Sequence, residues 1–270
     1  MVGEKCHSYQ WQRRHVTPAK IVSFSIYKGG TGQTTSAVNT AAALAQAKQR
    51  VLLVDLDQQA SATRYLGINP DEPKYNLYHV FYQNVPASVV RQTTSFGVDV
   101  LPSSSLMAAI EASLEPGDET LLRERLASLK DEYDFILVDT PPGKAALAFN
   151  GIVAADVLLV PASAERMSID GVSDLVNHVQ EIFWHKFREE LKEQEIRILF
   201  TMYKANTKHS PGVVKAAKRI YRENVLDIYI PETIEFPRSF DRRQPITHLA
   251  PSHAGSLAYQ KVAQWLIDHA

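Results

Sequence analysis

The sequence predicts an α/β protein, a three-layer sandwich with a mostly parallel sheet and helices on both faces. Two observations carry this. Short apolar, β-rich runs recur along the chain, and stretches of helical length and periodicity stand between them. Several of the runs, VLLVD at 51–55, FILVD at 135–139 and VLLVPA at 157–162, are continuously apolar instead of alternating, the first two up to a closing aspartate. That is the pattern of strands buried on both faces, which occurs where helices cover a parallel sheet on each side.

In chain order, residues 1–19 are polar, carry Arg13, Arg14 and Pro18, and read as an arm ahead of the first strand. IVSFSIY at 21–27 is the first strand and runs into a glycine-rich loop. Residues 34–49, rich in alanine, make a strong helix former. Strands follow at 50–57, 134–140 and 155–162, then at 197–203 and 225–231. Helical periodicity marks 119–130, 168–190 and 255–269. No repeat, low-complexity tract or linker divides residues 20–270, which read as one domain. Leu257, Val262, Leu266 and Ile267 form an apolar stripe on the last helix. Lys261 is its only base, which suits docking on the sheet better than insertion at a membrane surface.

Composition narrows the function classes. The 270 residues are 45% apolar and 22% charged, with a formal net charge of -1, so there is no global attraction to nucleic acid. Cys6 is the sole cysteine, which excludes an intrachain disulfide and a multi-cysteine metal site. No apolar run approaches the roughly 20 residues of a membrane helix, and the first residues lack the apolar stretch of a secretory signal. A cytoplasmic location is the expectation. His248 and His253 have no carboxylate or cysteine at ligand spacing and read as ordinary loop residues.

The informative stretch is SIYKGGTGQTTS, residues 25–36. Aligned on Gly32 and Thr34, it follows the phosphate-loop pattern G-x-x-x-x-G-K-[ST] with Tyr27 in place of the first glycine and Gln33 in place of the lysine. Glycines at 29, 30 and 32 allow successive N–H groups to turn inward on an anion. The helix that opens near Thr34 adds its positive end. Asp55, Asp57 and Asp139 stand at the ends of the next buried strands, the edge of an open parallel sheet at which ligands bind.

Three ordered blocks make the chain resemble the ParA/MinD family of partition and positioning ATPases, which carry a deviant Walker A loop. Their K-G-G-x-G-K-[ST]-[ST] is filled here by Lys28, Gly29, Gly30, Thr31, Gly32, Gln33, Thr34 and Thr35. VLLVDLDQQASAT matches the family's D-x-D-P-Q block with Gln58 for proline, and FILVDTPPG matches its D-[CT]-P-P block. Weaker likeness extends the match over residues 20–270. The resemblance implies a P-loop NTPase-like fold, ATP and Mg²⁺ as cofactors, and a two-fold dimer assembled on ATP. By the same likeness Lys28 reaches the partner's phosphates, Asp57 positions the attacking water, and Thr34, Asp55 and Asp139 serve the metal. It further implies ATP hydrolysis, a ParB-like activating partner, non-specific DNA as the track on the nucleoid, and a plasmid, chromosome or protein assembly as cargo. The segment after Pro231 is a candidate for contacting the adenine.

Gln33 donates hydrogen bonds but brings no charge, so nucleotide binding is expected to survive in weakened form with low turnover. A non-hydrolysing, nucleotide-binding scaffold of the same fold is the alternative. A nitrogenase-iron-protein-like reductase would need two cluster cysteines per subunit, and metabolic ligases that share the loop are expected to lack the match beyond residue 150. For DNA the candidates are Lys204, Lys208, Lys215, Lys218, Arg219 and Arg222, in an acid-free stretch, with Arg238, Arg242 and Arg243 beyond. A solvated helix face is the alternative for that stretch.

Overall fold

The computed structural model describes residues 17–72, 74–164, 177 and 194–269. Eight strands form one sheet: β1 (Lys20–Phe24), β2 (Val51–Asp55), β3 (Gln92–Thr93), β4 (Val98–Leu101), β5 (Phe135–Asp139), β6 (Val157–Ser163), β7 (Glu195–Tyr203) and β8 (Val225–Pro231). Their order is β3-β4-β2-β5-β1-β6-β7-β8, and every neighbouring pair is parallel except β3 with β4. Between them run α1 (Gln33–Gln46), α2 (Ser61–Tyr65), α3 (Leu77–Tyr82), α4 (Ala87–Val90), α5 (Met107–Ser113), α6 (Leu121–Leu126) and α7 (Ala146–Ala154). The C-terminal part adds α8 (His209–Tyr221), α9 (Glu235–Asp241), α10 (Ile246–Leu249) and α11 (Ala254–Asp268). The mostly parallel, helix-covered sheet is the predicted one. The helix expected at 168–190 lies outside the described residues, as do residues 1–16 of the arm.

The strand side chains alternate between two cores. Val22, Phe24, Leu53 and Leu137 face α1 and α11, while Ile21, Leu52, Val54 and Ile136 face α3, α5 and α6. On the β6–β8 side, Leu158, Val160, Ile198 and Phe200 pack with Ile152 of α7 and with Val214 and Ala217 of α8. Ala37, Ala41 and Ala42 are fully buried on α1, so small side chains bring this helix close to the sheet and fix the loop that precedes it. The last helix docks on the core as predicted, through Val262 and Leu266 of the expected stripe together with Tyr259 and Ala263; Leu257 is 46% exposed and leaves the stripe. The short strands β3 and β4 were not legible: Gly97 and polar neighbours interrupt the apolar run there.

Candidate nucleotide site

Parallel register builds the site. Phe24 of β1 pairs with Asp139 of β5, and Asp139 pairs with Asp55 of β2, so one row across three strands ends at the same edge. The loops that leave these ends meet there. Asp55 and Asp139 are fully buried. Asp55 Oδ2 accepts from the Thr63 backbone N–H at 2.8 Å and its hydroxyl at 2.7 Å, and Oδ1 accepts from Asp57 N–H at 3.2 Å. This carboxylate therefore ties the start of α2 to the loop carrying Asp57. Burial, opposed by those hydrogen bonds, pushes the Asp55 carboxyl up to about 7. Asp57 has its Oδ1 on Gln59 N–H at 2.9 Å, and burial raises it as well. Asp139 is raised well above the carboxylate range, first by burial and then by the Asp55 charge; hydrogen bonding from Thr34 opposes the rise. Its Oδ2 has no hydrogen-bond partner among the described residues. A buried, orphaned carboxylate oxygen beside a hydroxyl and a second carboxylate suits a hard cation.

The phosphate loop follows β1. Gly30 at φ 76° and Gly32 at φ 81° sit in the left-handed region, which is why glycine stands at these two turns. Thr31 is buried, and its carbonyl accepts from the Thr201 hydroxyl at 2.6 Å, anchoring the loop to the end of β7. The following helix α1 has no side-chain cap and no acidic residue in its first turn. Its first N–H groups and dipole therefore favour an anion at the loop. Thr34 and Thr35 are half-buried in that turn, whereas Lys28, Gly29 and Gly30 are exposed.

Gln33 is turned inward. Its Nε2 donates to Phe24 O at 2.9 Å and to the Thr140 hydroxyl at 3.1 Å; it also bonds the Thr140 carbonyl and reaches Asp139 Oδ1 at 3.4 Å. Two N–H groups thus face four acceptors. The amide is committed to the ends of β1 and β5, and Thr140, which sequence reasoning did not single out, is its main partner.

Beside Gly32 and Thr35 opens a cavity of about 430 Å³, walled by Pro231, Thr233, Phe236 and Phe240. The segment after Pro231, the sequence's candidate for contacting the adenine, therefore lies next to the phosphate loop. Its helix α9 has a single buried residue, Ser239. Two tyrosines hold this wall to α1. Tyr259 shares a 3.0 Å hydrogen bond with Ser36 and meets Phe236 edge-on at 5.7 Å. Tyr65 accepts from Asn39 Nδ2 at 3.2 Å, bonds the Ser239 hydroxyl, and meets Phe240 edge-on at 5.3 Å. Asn39 Oδ1 also accepts from Ile246 N–H at 2.8 Å. Neither tyrosine was a sequence candidate, because no local pattern links Tyr65 to Ser239.

The structure divides the basic residues. Lys215 and Arg219 on α8 are exposed and four residues apart, so they share one helix face; Lys208 and Arg222, which flank the helix, are exposed as well. Lys218 pairs with Asp227, Lys204 with Glu232 at 2.6 Å, and Arg238 with Glu235 at 2.8 Å. Those three cations are engaged within the chain. Arg242 and Arg243 follow α9, the helix that packs against α2 and α10.

A family model described as an AAA domain matches residues 19–193. The chain is 31% identical over 248 residues to the sporulation initiation inhibitor protein Soj of Bacillus subtilis, covering 91% of this chain and 97% of that one. Among solved structures, cobyrinic acid a,c-diamide synthase from Mycobacterium smegmatis with bound ATP analog and magnesium is 28% identical, with TM-score 0.79 over 93% of this chain and 95% of that one. The Pyrococcus furiosus cell division ATPase MinD is 25% identical, with TM-score 0.75 over 93% and 100%. The synthase match corrects one expectation: likeness to such an enzyme does not stop at residue 150, since the sheet and helices beyond it superpose too.

Proposed function

Because the chain belongs to the ParA/MinD family of P-loop ATPases, we propose that it is an ATP- and Mg²⁺-dependent dimerisation switch. It binds DNA without sequence preference and partitions or positions a cargo. The observation that carries the reading is the row Phe24–Asp139–Asp55 beside an uncapped helix end, with one Asp139 oxygen unpartnered. Loop N–H groups and the α1 dipole would hold the phosphates, and Thr34 and Asp139 would hold the metal, with Asp55 fixing the loop behind them. Magnesium supplies charge neutralisation at the phosphates. Asp57, on the loop that Asp55 organises, would orient the water, and exposed Lys28 would reach phosphates across the dimer. The α8 face is the favoured DNA contact, which weakens with salt in proportion to the phosphates neutralised. Charge-reversing Lys215 and Arg219 together without loss of DNA affinity would remove that part.

Gln33 sets the rate. With its amide bound to Phe24 and Thr140, it contributes no charge to the transition state, and slow hydrolysis follows. The same observation favours the second reading, a nucleotide-binding scaffold that does not hydrolyse. Light scattering with ATP and Mg²⁺ should show a mass near twice the monomer's, and Gln33→Lys should raise ATPase activity at least about tenfold. A monomer at millimolar ATP that takes up no nucleotide refutes the switch; a Gln33→Lys protein without a faster rate refutes the role given to this residue.

A further inference from the structure

Three carboxylates and a polyphosphate would meet at this site without the usual lysine, which leaves Mg²⁺ and a Lys28 reaching across the dimer as the cations named so far. In the loops that follow β1, β2 and β5, residues 25–32, 56–60 and 140–145, the cationic side chains are Lys28 and Lys144. Lys144 belongs to the loop after Asp139, and that loop forms one side of the phosphate loop. Gly143 N–H donates to Ile26 O at 3.5 Å, and a Cβ on Gly29 would lie 3.8 Å from Pro142 Cβ. The Lys144 side chain is exposed, with Nζ 5.3 Å from the ring centre of Tyr27, the residue before Lys28. Its backbone is held on both sides. Gly143 is fixed to Ile26, and Glu111 accepts from Ala146 and Leu147 N–H at 2.6 and 2.9 Å. Both Glu111 oxygens are engaged with those N–H groups.

Resting on the nucleotide-site reading above, we propose that Lys144 supplies to the bound triphosphate the positive charge that Gln33 lacks. A flexible four-carbon stem lets the ammonium leave the tyrosine face for a phosphate oxygen, the stronger partner. Gln33 cannot make this move without giving up its bonds to Phe24 and Thr140. The arrangement predicts interdependence: Lys144 matters while residue 33 is neutral and ceases to matter once a lysine is restored there.

The test is a double-mutant cycle on the full chain, with ATP and Mg²⁺ binding read by calorimetry. Lys144→Ala should weaken binding about tenfold in the Gln33 background and less than about twofold with Gln33→Lys present. Lys144→Arg should bind within about twofold of the unsubstituted chain, because charge is what is supplied. Equal losses in both backgrounds, or no loss in either, overturn the proposal while leaving the nucleotide reading intact. So does an unsubstituted chain that binds no ATP beside a Gln33→Lys variant that does. Failure of both to bind ATP sinks the nucleotide reading itself.

Discussion

The ends of the site proposed for phosphate and for base sit side by side but are built by different means. At the phosphate end, parallel register aligns Phe24, Asp139 and Asp55, and short loops that follow those strands supply the donors and acceptors. At the proposed base end, a seven-residue helix, α9, is held by the Tyr65 hydroxyl and by the ring edges of Tyr65 from α2 and Tyr259 from α11. The first is specified by backbone geometry, the second by side-chain packing. The phosphate end should therefore tolerate no extra volume behind its strands, while the base end should shift without unfolding the sheet.

Two glycine substitutions break the comparison most sharply. A Cβ on Gly151 of α7 would collide with the Thr140 methyl and crowd Val138 at 3.3 Å, directly behind the strand end that holds Gln33. Gly151→Ala should cost about 2–3 kcal/mol in urea unfolding and lose nucleotide binding with it. Gly255→Ala would place a Cβ 2.8 Å from the Phe236 ring edge and 3.2 Å from Ile246 Cδ1, with Phe236 on a helix that has a single buried residue. It should cost about 1 kcal/mol or less yet weaken ATP binding several-fold. Equal stability losses at the two positions would deny the distinction. Tyr65→Phe sharpens it: the ring stays against Phe240 while the bonds to Asn39 and Ser239 go. ATP affinity should fall about tenfold with inorganic tripolyphosphate binding unchanged; a parallel loss of both ligands would mean that the tyrosine supports the whole site.

The smallest effect is expected far from either end. Arg50 and Asp134 precede β2 and β5 at the opposite edge of the sheet, joined by a 2.7 Å ion pair with both side chains part-exposed. The guanidinium lowers the Asp134 carboxyl below its usual value. A depressed folded value means that this stabilisation is present above the unfolded carboxylate value of about 4 and is lost as pH falls through the folded one. Asp134→Asn should cost less than about 1 kcal/mol at pH 7, a difference that closes under acid, with nucleotide binding untouched. A change in ATP affinity would tie the two edges of the sheet together against expectation.

How much was legible follows the same division. The strands that carry Asp55 and Asp139 stood out because burial on both faces demands continuous apolar runs, and the glycines at 30 and 32 stood out because φ there is positive. Thr63, Tyr65 and Ser239 did not. Each is an ordinary polar residue until Asp55 or a tyrosine hydroxyl arrives from elsewhere in the chain. The basic residues show this from the other side: nine cations looked alike in sequence, and three proved to be engaged by Glu232, Asp227 and Glu235.

The sequence by itself determined the mostly parallel sheet, the phosphate loop and its family, since backbone propensity and local spacing act over a few residues. Tertiary structure alone decided that Gln33 faces inward to Thr140, that Lys144 stands beside Tyr27, and that two tyrosines brace the wall proposed for the base. The reason is range. Hydrogen bonds and ring contacts join groups a few ångströms apart in space, and folding brings those groups together from positions up to 223 residues apart in the chain.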